Sequence, residues 1–218
     1  MNKERGYAPI VLFVYNRLEH TKKTIEALKK NELASKSMLF IYSDAEKNDN
    51  EKISVDEVRN YVKSIKGFKT LTIIERDRNF GLADSIIQGV TEIVTRFGNV
   101  IVIEDDIVTS PYFLKFMNES LEFYKEQKKV WHISGWNYPI DSSMLDDVFL
   151  WRFMNCWGWA TWSDRWQYYE KNVDKTIKEF SKKEIKYLNL DNYEHTWSQV
   201  IANKENKINT WAIFWYTT

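Results

Sequence analysis

The sequence predicts an α/β fold in which a mostly parallel sheet is flanked by helices. Four strands are predicted, at residues 9–15, 38–42, 70–75 and 100–103, and the apolar run at 100–103 is typical of a buried strand. The segments between them keep apolar residues at helical spacing, at about 16–30, 55–65 and 82–97. Such an alternation favours parallel neighbours, because each helix carries the chain back to the same end of the sheet.

The second part of the chain is distinguished by its aromatic residues. All ten tryptophans lie at or after Trp131. We therefore divide the chain into an α/β part, residues 1–130, and a Trp-rich part, 131–218, within one compact domain. A helical pattern over 111–127 precedes the Trp-rich part. After it, the pattern predicts strands at 129–134 and 148–153, a helix from Trp157, and mostly helical structure over 171–209.

Composition excludes several classes of protein. The chain has 218 residues, with 31 basic and 31 acidic side chains, so no basic excess points to nucleic acid. A single cysteine, Cys156, excludes an internal disulfide and a cysteine-based zinc site. No signal peptide or membrane span is visible. We expect a cytoplasmic protein, and peripheral contact with the inner face of a membrane stays open.

Three consecutive acids, Glu104, Asp105 and Asp106, follow the fourth predicted strand directly. Adjacent carboxylates repel one another, and a divalent cation is the simplest group that would offset this cost. A cation there would in turn bind an anion such as a diphosphate. The alternative is a solvated acidic turn before the next helix.

Polar residues also follow the other predicted strands: Asn16 and Arg17, then Asp44, then the segment 76–79. In a parallel sheet these ends share one edge, where open α/β sheets bind ligands. Each residue has a structural alternative. Arg17 could be a surface residue, Asp44 a helix cap, and the segment from Asn79 a plain turn.

Motifs of other nucleotide-binding and hydrolytic enzymes are missing. The chain has no G-x-G-x-x-G, no G-x-x-x-x-G-K-[ST] and no G-x-S-x-G. Most of the tryptophans suit a hydrophobic core, although Trp faces also stack on sugar rings. Gly158, between Trp157 and Trp159, suggests a close backbone approach.

Four segments together resemble the nucleotide-sugar half of GT-A glycosyltransferases: Pro9-Ile-Val-Leu-Phe-Val-Tyr-Asn-Arg17, Ser43-Asp44, Asn79-Phe-Gly-Leu-Ala83 and Glu104-Asp-Asp106. The chain is similar to bacterial family 2-like enzymes and to the N-acetylglucosaminyltransferase I group, in which Glu-Asp-Asp replaces the usual Asp-x-Asp. Segments 133–137 and 150–159 resemble that group's donor and acceptor segments. The resemblance covers about residues 8–166.

This resemblance implies a GT-A (Rossmann-like) fold and a metal-dependent, inverting transfer of a sugar from a UDP-sugar to a glycan or lipid-linked glycan. It implies Asp106 as the ligand of Mn²⁺ or Mg²⁺, which neutralises the leaving diphosphate. The implied nucleotide-sugar contacts are Tyr15, Asn16, Arg17, Asp44, Asn79, Gly81, Glu104 and Asp105. The implied acceptor or donor-sugar side comprises Trp136, Asn137, Trp157, Gly158 and Trp159.

The general base is not identified. In the N-acetylglucosaminyltransferase I group it is an acid within a W-D-x-x-W-like segment, and the nearest segment here, Trp211–Trp215, has Ala212 at that place. The candidates are Asp141, Asp147 and Asp164. We also expect an acceptor part that is truncated at its C-terminus. The alternative function is a catalytically inactive nucleotide-sugar or carbohydrate-binding protein. A sugar-phosphate nucleotidyltransferase is disfavoured, because no Gly-rich basic loop follows the first strand.

Overall fold

Six strands form one sheet, in the order β3-β2-β1-β4-β6-β5. A computed structural model describes residues 6–141 and 143–218 of the chain. The strand bounds are β1 Ile10–Val14, β2 Met38–Ser43, β3 Thr70–Glu75, β4 Asn99–Glu104, β5 Ile133–Ser134 and β6 Trp159–Trp162. The first four strands run parallel, and β6 lies antiparallel between β4 and β5. The predicted α/β fold with a mostly parallel sheet is therefore confirmed.

The central strands are apolar on both faces because helices cover both faces. All five residues of β1 are buried, and so are the four aliphatic residues of β4. Side chains of a strand alternate between the two faces, so a strand covered on both sides needs apolar residues throughout. The helices around this sheet are α1 Leu18–Lys29, α2 Lys52–Lys63, α3 Gly81–Phe97, α4 Phe113–Phe123 and α5 Ser163–Trp166.

Three elements predicted after residue 128 differ from the structure. The predicted strand at 148–153 is not a strand, and the residues from Trp159 form β6 and then the short helix α5 instead of one helix. The predicted strand at 129–134 is reduced to Ile133–Ser134. All four residues of β6 are buried. Because apolar and polar residues therefore do not alternate along it, its sequence cannot be distinguished from that of a buried helix.

By their contacts, the described residues divide into two units, 6–136 with 157–166, and 137–141, 143–156 and 167–218. The functional division after residue 130 stays a prediction. The second unit contains α6 Val173–Glu179, α7 Lys182–Leu188, α8 Trp197–Lys204 and α9 Ala212–Thr217. Its core joins Leu188, Val200, Ile213 and Phe214, so the aromatic run 211–216 packs into this unit. Throughout the described residues, no helix has both the length and the apolar composition needed to cross a bilayer.

Helix α3 lies close to the sheet at Gly89. The rings of Phe13 and Tyr42, which are partners across β1 and β2, stack with centroids 5.5 Å apart. A Cβ atom on Gly89 would lie 2.8 Å from Cε1 of Phe13 and 3.1 Å from Cε2 of Tyr42. The absence of a side chain at this position therefore allows the helix to approach the two stacked rings.

The first turn of α3 is capped by a residue from another strand. Phe80, at the N-cap position, makes no capping hydrogen bond through its side chain. Instead, Asp44 at the end of β2 accepts hydrogen bonds from the backbone N–H of Phe80 and of Gly81, both at 2.9 Å. A carboxylate at this position satisfies N–H groups that have no partner within the helix.

Replacing Gly89 by alanine should destabilise the protein. We expect a net loss of about 1–2 kcal/mol, because overpacking costs roughly 1–3 kcal/mol and removal of a helical glycine returns at most about 1 kcal/mol. Urea unfolding followed by circular dichroism measures this difference. Gln88→Ala, at the exposed neighbouring position, is the control. A Gly89→Ala protein as stable as the wild type would contradict the close packing.

Replacing Asp44 by alanine should lower the free energy of unfolding by about 1–2 kcal/mol, the usual range for a lost cap. Asp44→Asn should lose less, because its amide oxygen keeps one acceptor. Urea unfolding gives the stability, and amide hydrogen exchange at Gly81 reports the cap directly. Asp49→Ala, an exposed acid of the following loop, should change neither quantity. Unchanged exchange at Gly81 in Asp44→Ala would show that the cap is not formed.

Candidate active site at the carboxyl edge of the sheet

The parallel strands bring the predicted polar residues to one edge of the sheet. Phe13 of β1 is the partner of Glu104 of β4, and Val14 is the partner of Ser43 of β2. The chain therefore leaves these strands at neighbouring points. The residues that follow them there are Tyr15, Asn16 and Arg17 after β1, Asp44 after β2, Asn79 after β3, and Asp105 and Asp106 after β4.

Arg17 bridges the two aspartates. Its Nη2 bonds Asp105 Oδ1 and lies 3.1 Å from Asp106 Oδ2, and its Nε lies 3.4 Å from Asp105 Oδ2. The hydrogen bond that Arg17 donates to Asp105 raises the pKa of Arg17 most, and burial opposes this shift. Because the Asp105 side chain is buried, an arginine that binds it through two nitrogens supplies the charge that it needs.

The three acids differ in their surroundings. The pKa of Glu104 is raised from 4.5 to about 7, first because burial disfavours the charged form and then because Asp106 and Asp105 repel it. Burial also raises the pKa of Asp105, and the hydrogen bond from Arg17 opposes that shift. The Asp106 side chain is 42% exposed. Asp106 is therefore the acid with the most access to a ligand.

The donor set suits a hard cation that takes most of its ligands from a substrate. Carboxylate oxygens are the ligands that Mg²⁺ and Mn²⁺ prefer, and such ions are often held by one or two carboxylates together with phosphate oxygens and water. Among the described residues, no group of three or more His, Cys, Asp or Glu side chains is arranged to hold a metal ion. The exposed Asp106 fits a cation that a diphosphate also binds.

Tyr15 and the loop after β2 are tied together by hydrogen bonds. The Tyr15 hydroxyl donates to Glu51 and accepts from the backbone N–H of Lys47 at 3.0 Å. Burial, followed by the hydrogen bond to Glu51, raises the pKa of Tyr15 to about 12. The hydroxyl therefore positions the loop, whereas the ring takes no part in these hydrogen bonds. Asn16 beside it is half-buried.

The loops after β2 and β3 are joined around Asp44. Asn79 Nδ2 donates to the carbonyl oxygen of Ala45 at 2.7 Å. Arg59 Nη2 donates to the carbonyl oxygens of Asp44 and Arg76, at 3.3 and 2.8 Å. Asp44 thus has the capping role that the sequence left open. It also accepts from the backbone N–H of Gly81, so that amide already has a partner within the protein.

Two glycines bring β5 and β6 together next to the acidic segment. The N–H of Gly135 donates to the carbonyl oxygen of Gly158 at 2.8 Å. A Cβ on Gly135 would lie 2.6 Å from the Phe113 ring, and one on Gly158 would lie 3.6 Å from Cγ2 of Ile107, the residue after Asp106. Gly158 also has φ +71°, a conformation that favours glycine. The close approach expected at Gly158 is present.

The aromatic residues beside these glycines have different environments. The rings of Trp136 and Trp157 meet edge to face, with centroids 4.5 Å apart, and Trp157 is 49% exposed. Trp159 is fully buried between His132 and Trp166. Trp159 therefore belongs to the core in this structure, whereas Trp157 can reach a ligand. Asn137 is exposed and belongs to the second unit.

The candidate bases are not gathered at the acidic segment within the first unit. Asp164 follows β6, whose antiparallel pairing places its end beside Asn99, at the opposite end of β4 from Glu104. Although burial opposes the shift, hydrogen bonds from Arg165 and Lys128 lower the pKa of Asp164. Asp141, whose pKa is lowered by the Ser143 backbone N–H, and Asp147 are exposed and belong to the second unit.

Three residues that support the site were not identified from the sequence. Thr24 of α1 donates to the carbonyl oxygen of Asp105 at 2.8 Å, and Arg59 and Glu51 make the contacts described above. Thr24 is fully buried next to Ile25. A threonine on the apolar face of a helix was the available signal, because a buried hydroxyl needs a hydrogen-bond partner.

Some solved structures resemble the chain only distantly. The mannosyltransferase PcManGT from Pyrobaculum calidifontis, in complex with GDP-Man and Mn²⁺, matches with 13% identity and a TM-score of 0.45, over 61% of this chain and 36% of that one. TarS of S. aureus matches with 14% identity and a TM-score of 0.38, over 56% and 20%. The chain thus spans about a third or less of these two proteins. Similarity at this level does not determine function.

The sequence itself gives a stronger match. No curated protein matches the chain significantly. The model of the GNT-I family matches residues 1–178, more than half of the chain and all of the strands described above. This match agrees with the resemblance to the N-acetylglucosaminyltransferase I group that the strand-end motifs indicated. The chain belongs to the GNT-I family of glycosyltransferases.

Proposed function

We propose that the protein is a metal-dependent, inverting glycosyltransferase that moves a sugar from a UDP-sugar to a hydroxyl of a glycan or lipid-linked glycan. The observation that carries the proposal is the meeting of Arg17, Asp105 and Asp106 at the carboxyl edge of the sheet. Membership of the GNT-I family supports the same reaction class. We further propose that the product is a bacterial surface polysaccharide or a glycoprotein glycan, and that the protein acts in the cytoplasm or at the inner face of the membrane.

Asp106 is the proposed ligand of Mn²⁺ or Mg²⁺, and Arg17 the proposed contact of the diphosphate. Both side chains are more than two fifths exposed, so each has room for a ligand. A bound cation would stabilise the charge that develops on the leaving diphosphate, so that its departure needs no proton. Asp105 fixes Arg17 from the buried side, and Thr24 fixes the backbone of Asp105.

The nucleotide would lie between the ends of β1, β2 and β4. The proposed contacts are the Tyr15 ring, Asn16, Asp44, Asn79, Gly81, Glu104 and Asp105. Asp44 reaches the ligand through a remaining lone pair or through the loop that it orders, because its carboxylate already accepts from Phe80 and Gly81. The Trp136–Trp157 pair offers an aromatic face to a sugar of the donor or acceptor.

A second candidate function is binding without transfer. Asp164, the candidate base of the first unit, is ion-paired at the far end of β4. In the segment 211–215, which resembles the acid-bearing segment of the N-acetylglucosaminyltransferase I group, Ala212 stands in place of the acid. A protein that lacks a base would bind the nucleotide sugar but not transfer the sugar. The two candidates differ in turnover and agree on the donor site.

Calorimetric titration of UDP with Mn²⁺, and again with EDTA, tests the donor site. We expect UDP binding to weaken at least about tenfold, or about 1.4 kcal/mol, when the cation is removed or when Asp106 is replaced by asparagine. Glu119→Gln, an exposed acid on α4, is the matched control and should bind UDP like the wild type. Equal UDP affinity with Mn²⁺ and with EDTA would exclude a cation-bridged diphosphate.

Release of UDP from a panel of UDP-sugars, with Mn²⁺ and glycan acceptors, separates a transferase from a binding protein. We expect acceptor-dependent release for at least one donor, and its loss in Asp106→Asn. Binding of a UDP-sugar with no release under any of these conditions would favour the second candidate.

A further inference from the structure

Arg17 contacts its two aspartates unequally. Its Nη2 and Nε both reach Asp105, whose side chain is only 6% exposed. One nitrogen, Nη2, reaches Asp106 at 3.1 Å, and the Asp106 side chain is 42% exposed. The contact with Asp105 therefore anchors the guanidinium, and the contact with Asp106 lies on its solvent-exposed side.

The acidic segment carries more negative charge than Arg17 can balance. Three acids follow one another, and within the described part of the chain Arg17 is the cationic side chain that forms ion pairs with two of them, Asp105 and Asp106. A divalent cation at Asp106 would lie beside this guanidinium, and two positive groups at that spacing repel each other. Cation and guanidinium thus compete for one carboxylate.

We infer that Arg17 holds Asp106 while the site lacks a nucleotide and gives it up when a nucleoside diphosphate binds, an inference that rests on the proposed function. The diphosphate supplies a new anionic partner for the guanidinium, and Asp106 then becomes available to the cation. Cation affinity is accordingly low before the nucleotide binds and higher afterwards. Such coupling is reciprocal, so the cation strengthens nucleotide binding by the same factor.

This exchange needs movement of a side chain only. The carbonyl oxygen of Arg17 accepts from the backbone N–H and from Oγ1 of Thr21, both at 3.0 Å, so the start of α1 fixes the backbone. The Arg17 side chain is 45% exposed. The guanidinium can therefore turn from Asp106 toward a diphosphate while β1 and α1 stay in place.

Titration of Mn²⁺, followed by the electron paramagnetic resonance signal of the free ion, tests the inference without any measurement of turnover. Without UDP, Arg17→Gln should bind Mn²⁺ about tenfold more tightly than the wild type, because the competing charge is gone. Saturating UDP should raise the Mn²⁺ affinity of the wild type more than that of Arg17→Gln. Arg17→Lys, whose ammonium lacks the guanidinium fork, should fall between them.

Lys22→Gln is the matched control, because Lys22 lies on α1 and pairs with Glu19. It removes one positive charge from the same helix and should leave Mn²⁺ affinity unchanged. Circular dichroism shows whether each variant is folded. If Arg17→Gln does not fold, Arg17→Lys is tested in its place, and its Mn²⁺ affinity without UDP must exceed that of the wild type. If the Arg17 variants bind Mn²⁺ no more tightly than the wild type, while UDP still raises the Mn²⁺ affinity of the wild type, this inference alone is overturned. It is also overturned if Lys22→Gln binds Mn²⁺ as tightly as Arg17→Gln does. No Mn²⁺ binding by any of these proteins, with or without UDP, would overturn the proposed function as well.

Discussion

The parallel pairing of β1 with β4 is the constraint on which the site depends. Because Phe13 is the partner of Glu104, the residues after the two strands leave the sheet side by side. An arginine three residues past the end of β1 can then reach carboxylates at the end of β4, although 88 positions separate Arg17 from Asp105 in the chain. A shift of register between these strands would move the two groups apart along the edge of the sheet.

Other residues of the first unit balance part of the negative charge that this pairing brings to the edge of the sheet. Asp105 is buried, yet it has Arg17 on its side chain and Thr24 on its carbonyl oxygen. Glu104 is partly buried, and no described residue forms an ion pair with it; its pKa rises to about 7 because of burial and of the neighbouring acids. The site is thus a surplus of negative charge held in a rigid sheet edge, an arrangement that favours a cationic ligand.

The sequence predicted those elements whose pattern of apolar residues is compatible with either a strand or a helix, but not with both. Strands β1 to β4 and helices α1 to α3 lie close to their predicted positions, and so the edge that collects Arg17, Asp44 and Asp106 could be derived. The strand β6 could not, because a run buried on every side has the same pattern in a strand and in a helix. Asp44 suits both a cap and a nucleotide contact, and only the position of α3 reveals the cap. The distance of Asp164 from the acids depends on the direction of β6, which no local pattern encodes.

The cap that Asp44 supplies to α3 links two segments that are far apart in the chain. A helix that caps itself can fray at its first turn without disturbing its neighbours, whereas here that turn shares two hydrogen bonds with the end of β2. Asn79 and Arg59 bind the same loops. The loops after β2 and β3 should therefore open together or not at all, as one cooperative unit. A ligand that orders either loop would order both, and two separate connections of the fold then behave as a single wall of the site.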